Sequence, residues 1–160
     1  INPAQNLALL KILRPGSRER LSDLYLEVHW EKHELYVVTD IDTGAWPGGI
    51  GRIVCGLSPQ LVVGYQSRYG PAKWEEKYRR HFRAASDRYR KKIYERYTAK
   101  GNDPPESYEI KLREKVYKFV GYKEVRVGDV LVFPKGTVHS LRHGIEVAEV
   151  LTPHSDCVII

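Results

Sequence analysis

The chain has 160 residues, with 26 Lys and Arg against 20 Asp and Glu, a formal net charge of +6, and 42% hydrophobic residues. That balance excludes a disordered polypeptide, and the length suits one domain that can bury a core without covalent staples. No apolar run approaches the roughly 18 residues a membrane span needs, and no basic-then-apolar leader opens the chain. The two cysteines, Cys55 and Cys157, lack Cys-x-x-Cys spacing. They point to a reducing compartment, hence the cytoplasm, with neither a disulfide framework nor a zinc knuckle. Because the chain opens on Ile1 and contains no methionine, residues are expected before it, and both ends read as trimmed from a longer protein.

In chain order, Leu7–Leu13 is a short apolar segment closed by Arg14, Pro15 and Gly16, a strand or short helix entering a sheet. Leu24–His29 alternates as a strand does, with Leu24, Leu26 and Val28 on one face and Tyr25, Glu27 and His29 on the other. Glu34–Thr39 is the returning strand, and Asp40–Gly44 with Trp46–Gly49 form a turn-rich connector. Gly49-Ile50-Gly51 is too short for a dinucleotide fingerprint. Arg52–Cys55 and Leu61–Tyr65 read as two further strands. Between Pro71 and Lys100, Trp74, Tyr78, Phe82, Ala85, Tyr89, Ile93 and Tyr97 recur in steps of three and four, which predicts one long helix. After the break at residues 101–105, a second helix is predicted over Glu106–Phe119. The sheet resumes at Glu124–Val127 and runs to Leu151. Gly128-Asp129 and Pro134-Lys135-Gly136 are turn chemistry, and Val130–Phe133 between them reads as a buried run.

Two stretches carry chemistry. Glu27 and His29 lie two apart and share a strand face, while His139 follows the second turn at the start of its own strand. With Glu34 they offer two imidazoles and two carboxylates, the donor set a compact metal site requires. A carboxylate at position 27 favours harder ions such as Mn²⁺ or Fe²⁺ over zinc. Glu34, His29 and Glu27 are close in sequence, and His139 is more than a hundred residues away.

These residues resemble the cupin superfamily. Its second motif, G-x5-P-x-G-x2-H, is matched at every fixed position by Gly128, Pro134, Gly136 and His139; its first, H-x-H-x(3,4)-E, is matched by His29 and Glu34, with Glu27 at the first histidine position. Within the superfamily the chain looks most like the phosphomannose isomerases, a likeness resting on about a third of its length. It implies a single cupin or jelly-roll β-barrel over residues 1–160, all-β apart from a two-helix insertion at about 71–119. It also implies a divalent ion (Zn, Mn or Fe) held by Glu27, His29, Glu34 and His139. The family's Lys-x-Glu lysine is matched by Lys32 and the glutamate of its Val-x-Glu run by Glu149, which makes these two the candidate catalytic residues. The family arginine that follows the Ser155-Asp156 pair has no match before Ile160.

The resemblance thus implies a metal-dependent sugar-phosphate isomerase or epimerase that moves a proton between neighbouring carbons. A metal- and sugar-binding cupin without turnover, or an iron-dependent dioxygenase, are the alternatives. The expected partner is a sugar or sugar phosphate and the expected assembly a homodimer; no membrane is expected. Eleven Lys and Arg against four acids between Lys73 and Lys100 read as the solvated face of a helix rather than a nucleic-acid footprint. His81 and His154 read as structural, His33 and His143 as flanking residues without ligand spacing, and Asp129 as a turn residue.

Overall fold

A computed structural model describes residues 9–18, 24–100, 106–152 and 158–159. The chain divides into two compact units, a sheet unit (9–18, 25–56 and 122 onward) and a helical unit (57–121 with Leu24).

The described residues hold nine strands, all within or reaching into the sheet unit: β1 (Leu9–Leu13), β2 (Glu27–Val28), β3 (Glu34–Ile41), β4 (Gly51–Leu57), β5 (Val120–Val125), β6 (Val130–Phe133), β7 (His139–Ser140), β8 (Ile145–Leu151) and β9 (Val158–Ile159). They form a four-stranded sheet in the order β1-β8-β3-β6 and a five-stranded sheet in the order β5-β4-β7-β2-β9, both antiparallel. The all-β expectation for this part of the chain holds in that form.

Alternation sets what each sheet buries. On β3, Glu34, Tyr36 and Val38 point inward, and on β8 Ile145, Val147, Glu149 and Leu151 do. Tyr36, Val38, Phe133, Ile145 and Val147 from the four-stranded sheet meet Ile53 and Val125 from the other in one core. Each such buried side chain contributes roughly 1.5–3 kcal/mol before the cost of ordering the chain. Gly51 opens β4 because a Cβ there would sit 2.7 Å from Ile145 Cδ1. Packing, not nucleotide binding, accounts for that glycine.

Residues 130–133 depart from the expected buried run. Phe133 is 1% exposed but Val130 and Val132 are 58% and 59% exposed, because they point to the outer face of the four-stranded sheet, and on the edge strand β6 they have a neighbouring strand on one side only.

The described residues of the helical unit hold three helices, α1 (Pro59–Tyr69), α2 (Trp74–Lys100) and α3 (Glu106–Tyr117), where two were expected. The predicted strand Leu61–Tyr65 is the middle of α1. The Ser58 hydroxyl caps the first turn by accepting from Leu61 N, Pro59 occupies the first helical turn, and Gly70 (φ 73°) stops the helix with its N–H on the Gln66 carbonyl. Those three signals outweigh the five-residue apolar run. The long helix begins at Trp74 rather than Pro71, which lies in the preceding turn, and α3 ends at Tyr117. The strand after it starts at Val120, four residues before the expected position. On α2, Tyr78, Phe82, Tyr89 and Ile93 are buried as the periodicity predicts; Tyr78 and Phe82 pack on Phe119. The acids of α2 lie against its own cations, as in Arg79–Glu75, Arg83–Asp87 and Lys91–Glu95, at 3.4, 4.0 and 3.8 Å. No described helix is long and apolar enough to cross a membrane.

Candidate metal centre

The site is assembled by the turn after β6. Gly136 adopts φ 77°, a conformation that side chains with a Cβ resist, and donates its N–H to the His29 carbonyl at 2.6 Å. Thr137 N closes the turn on the Pro134 carbonyl at 3.1 Å. This one turn therefore ties the segment carrying His139 to the segment carrying His29. Pairing of β2 with β7 places Glu27 directly opposite His139.

Glu27, His29, Glu34 and His139 each bring one donor atom into a group whose members lie within 4.8 Å of one another. His139 Nε2 stands 2.9 Å from Glu34 Oε2 and 3.6 Å from Glu27 Oε1, and His29 Nε2 stands 3.1 Å from Glu34 Oε1 and 3.5 Å from Glu27 Oε2. All four residues are buried, Glu27 the least at 8% exposed. His139 Nδ1 lies 2.9 Å from the Thr137 carbonyl, which directs Nε2 at the carboxylates. A backbone acceptor behind the ring is the usual support of a metal-binding imidazole.

Charge in this interior is lopsided. Glu27, Glu34 and Glu149 are all buried, and among the described residues Lys32 is the one buried cation beside them, its Nζ 2.7 Å from Glu34 Oε1. Lys11, whose side chain is 43% exposed, reaches Glu149 Oε2 at 3.1 Å. Burial acts to raise the Glu34 pKa, but hydrogen bonds from His139 and Lys32 overcome it and hold that carboxyl down at about 2. Burial raises Glu149 above the ordinary carboxylate range, with Lys11 pulling the other way. Burial would lower His139, yet Glu34 and the Thr137 carbonyl raise it. A buried charge without a counter-charge costs several kcal/mol, so a divalent cation among these donors would offset what Lys32 and Lys11 leave unbalanced. The mixed nitrogen and oxygen donor set fits a first-row divalent ion without selecting one.

Lys32 and Glu149 are both buried, at 6% and 3% exposed. Glu149 lies on a central strand between β1 and β3, in one inward row that runs Lys11–Glu149–Tyr36–Leu131 across the sheet. Two members of that row, Lys11 and Tyr36, escape sequence reasoning. The phenol of Tyr36 is fully buried, has no hydrogen-bond partner among the described residues, and is held well above its ordinary pKa by burial and by Glu27, Glu34 and Glu149. Its spacing of two from Glu34 was the available signal. Lys11 gave none, since only strand register brings it to Glu149.

The other histidines lie elsewhere. His143 stacks on Trp46 with ring centroids 5.0 Å apart, His81 Nδ1 meets the Tyr65 hydroxyl at 2.7 Å within the helical unit, and His33 is exposed. Asp129 accepts from Arg126 N at 2.8 Å, as a turn residue should. His154, Ser155, Asp156 and Cys157 fall outside the described residues. Hollows of about 620 and 340 Å³, one beside Arg14, Asp42 and Gly144 and one beside Cys55, Lys123 and Leu131, are lined by none of the four donors.

The sheets and the four donors define a β-sheet protein with a buried cluster able to hold a metal ion. No family model matches the sequence, and no curated protein matches it. Among solved structures the chain is similar to the mannose 6-phosphate isomerase from Bacillus subtilis, at 15% identity and a TM-score of 0.47, over 95% of this chain and 36% of that one.

Proposed function

We propose that this chain is a cupin domain of the phosphomannose isomerase-like type, a closed barrel whose interior holds a divalent ion and isomerises or epimerises a sugar phosphate. The observation that carries the reading is the burial of Lys32 and Glu149 beside the Glu27, His29, Glu34 and His139 cluster, Lys32 at 2.7 Å from Glu34 and Glu149 close enough for Glu34 and Glu27 to act on its charge. Two cupin motifs chosen from sequence alone supply all four donors. A bound divalent ion would polarise the carbonyl and hydroxyl oxygens of the substrate. Glu149, its pKa raised by burial, would take the proton from the carbon beside the carbonyl and return it to the neighbouring carbon. Lys32 would lie against the oxygen that gains negative charge. Tyr36 would offer its phenolic hydrogen to a substrate oxygen in the same row.

The second reading is a metal- and sugar-binding domain without turnover, favoured by the Lys11–Glu149 ion pair, which engages the carboxylate that must move the proton. Metal analysis of the purified protein followed by a panel of phosphorylated aldoses and ketoses separates the two. The expected result is turnover by the wild type and a loss of about 10²-fold or more in Glu149→Gln, with metal content unchanged. A metal-loaded wild type inert toward every phosphorylated hexose and pentose establishes the binding reading instead.

A further inference from the structure

Strand register turns the outer face of the four-stranded sheet into a continuous apolar surface. Successive partners place Leu10, Val150, Leu35 and Val132 in one row across all four strands, and Ile12, Ala148, Val37 and Val130 in the next. None of the eight is polar. Leu10, Ile12, Val130 and Val132 are 64%, 58%, 58% and 59% exposed, and the four on the central strands are half-buried. The polar residues begin only beyond the two rows. At one end Arg14 and Thr39 both bond Glu146, and at the other His33, Pro134 and Thr152 are exposed.

The area is what a subunit contact needs. With these exposures the face presents roughly 500 Å² of apolar surface, at the top of the range for the largest patch on a monomer. Two copies set face to face would cover about 1,000 Å² of it, about the area a specific interface has to clear. A face made only of β-branched and aliphatic side chains can meet its own copy, as a two-fold contact between identical subunits demands. It also has the surface that aligned sheet-on-sheet packing requires, with side chains from both sheets interdigitating at about 10 Å separation. A charged sugar or a polyanion has nothing to bind there.

We propose that the outer face of the β1-β8-β3-β6 sheet is the dimerisation surface of this chain, its occupant the same face of a second copy. The inference is independent of the metal centre, whose residues occupy the opposite face of that sheet and the facing sheet.

Sedimentation velocity over a concentration series tests it, using the whole chain and the double variant Leu10→Lys/Val132→Lys. Both positions are more than half exposed, so the fold and metal content should persist while four buried like charges per dimer oppose association. The expected result is a dimer for the wild type at micromolar concentration and a monomer for the double variant, a rise in dissociation constant of at least 100-fold. Should the lysine variant fail to fold, Val130→Thr/Val132→Thr keeps shape and strand propensity, and its dissociation constant should rise about tenfold. A wild type that stays monomeric to its solubility limit overturns the proposal. So does a dimer whose dissociation constant neither variant changes, since its contact then lies on another surface.

Discussion

Both units bury ionised groups, and they balance them differently. In the helical unit Glu109 is fully buried, but Arg113 stands 3.1 Å away one helical turn on, and the Tyr89 hydroxyl donates to the same carboxylate at 2.6 Å. One anion meets one cation, and the cluster is complete with the chain's own atoms. In the sheet unit Glu27, Glu34 and Glu149 share an interior with buried Lys32 and half-exposed Lys11. Burial is costly for both clusters, yet among the described residues only the second holds more buried carboxylates than buried cations, a surplus that an added ion could offset. The difference separates a self-contained ion pair from a cluster able to hold a metal ion, without reference to any relative.

That contrast can be broken experimentally. The largest effect expected is on metal: His29→Ala and His139→Ala should each lose the bound divalent ion entirely, while His81→Ala, in the helical unit, keeps it. Elemental analysis after dialysis decides, and retention by all three variants would remove the centre from the four-donor cluster. Next comes the ion pair itself. Arg113→Met strands Glu109 and should destabilise by about 3–5 kcal/mol, whereas Glu109→Leu/Arg113→Met should recover most of it. Urea unfolding of the three proteins reads this directly, and equal stability of the two variants would contradict it.

Alkali should act on the helical unit. The Tyr78 hydroxyl donates to the Phe119 carbonyl, and burial pushes its pKa up to about 12. A group whose folded pKa exceeds its unfolded value of about 10 stabilises fully below the unfolded value and loses that contribution as pH rises through the folded one. About 2–3 kcal/mol should therefore disappear between pH 10 and 12. Unfolding free energies at both ends of that window measure it, and Tyr78→Phe should reduce the dependence by that amount, leaving the share that buried Tyr36 and Tyr89 contribute. A slope that Tyr78→Phe leaves intact would assign it to another tyrosine.

The smallest effect expected is at Glu27. Glu27→Gln keeps an oxygen donor and removes a charge, so the ion should remain bound with preference displaced toward zinc. Competition between Mn²⁺ and Zn²⁺ at equilibrium gives the ratio for each protein. Complete loss of metal would make the carboxylate an essential ligand.

Local pattern was enough to locate much of this protein. Turn residues, strand alternation and the spacing of Gly128, Pro134, Gly136 and His139 identify the segment that carries His139, because glycine's access to positive φ and proline's fixed φ are properties of single residues. The same holds for the buried stripe of α2 and in part for Glu27 and His29: both are buried and reach one cluster, but the expected strand Leu24–His29 shrinks to Glu27–Val28 and His29 lies just past its end. What local pattern could not decide depended on which surfaces meet. Leu61–Tyr65 is apolar enough for a strand, but its cap and stop lie outside the five residues, at Ser58 and Gly70. Val130 and Val132 look as buried as Phe133 until the sheet's outer face is left open and β6 falls at its edge. Lys11 and Glu149 become partners only through the register of β1 on β8, and Tyr36 comes beside the candidate donors only because β3 lies between β8 and β6. Register and strand order come from contacts across the chain, and a one-residue slip would send every one of these side chains to the other face.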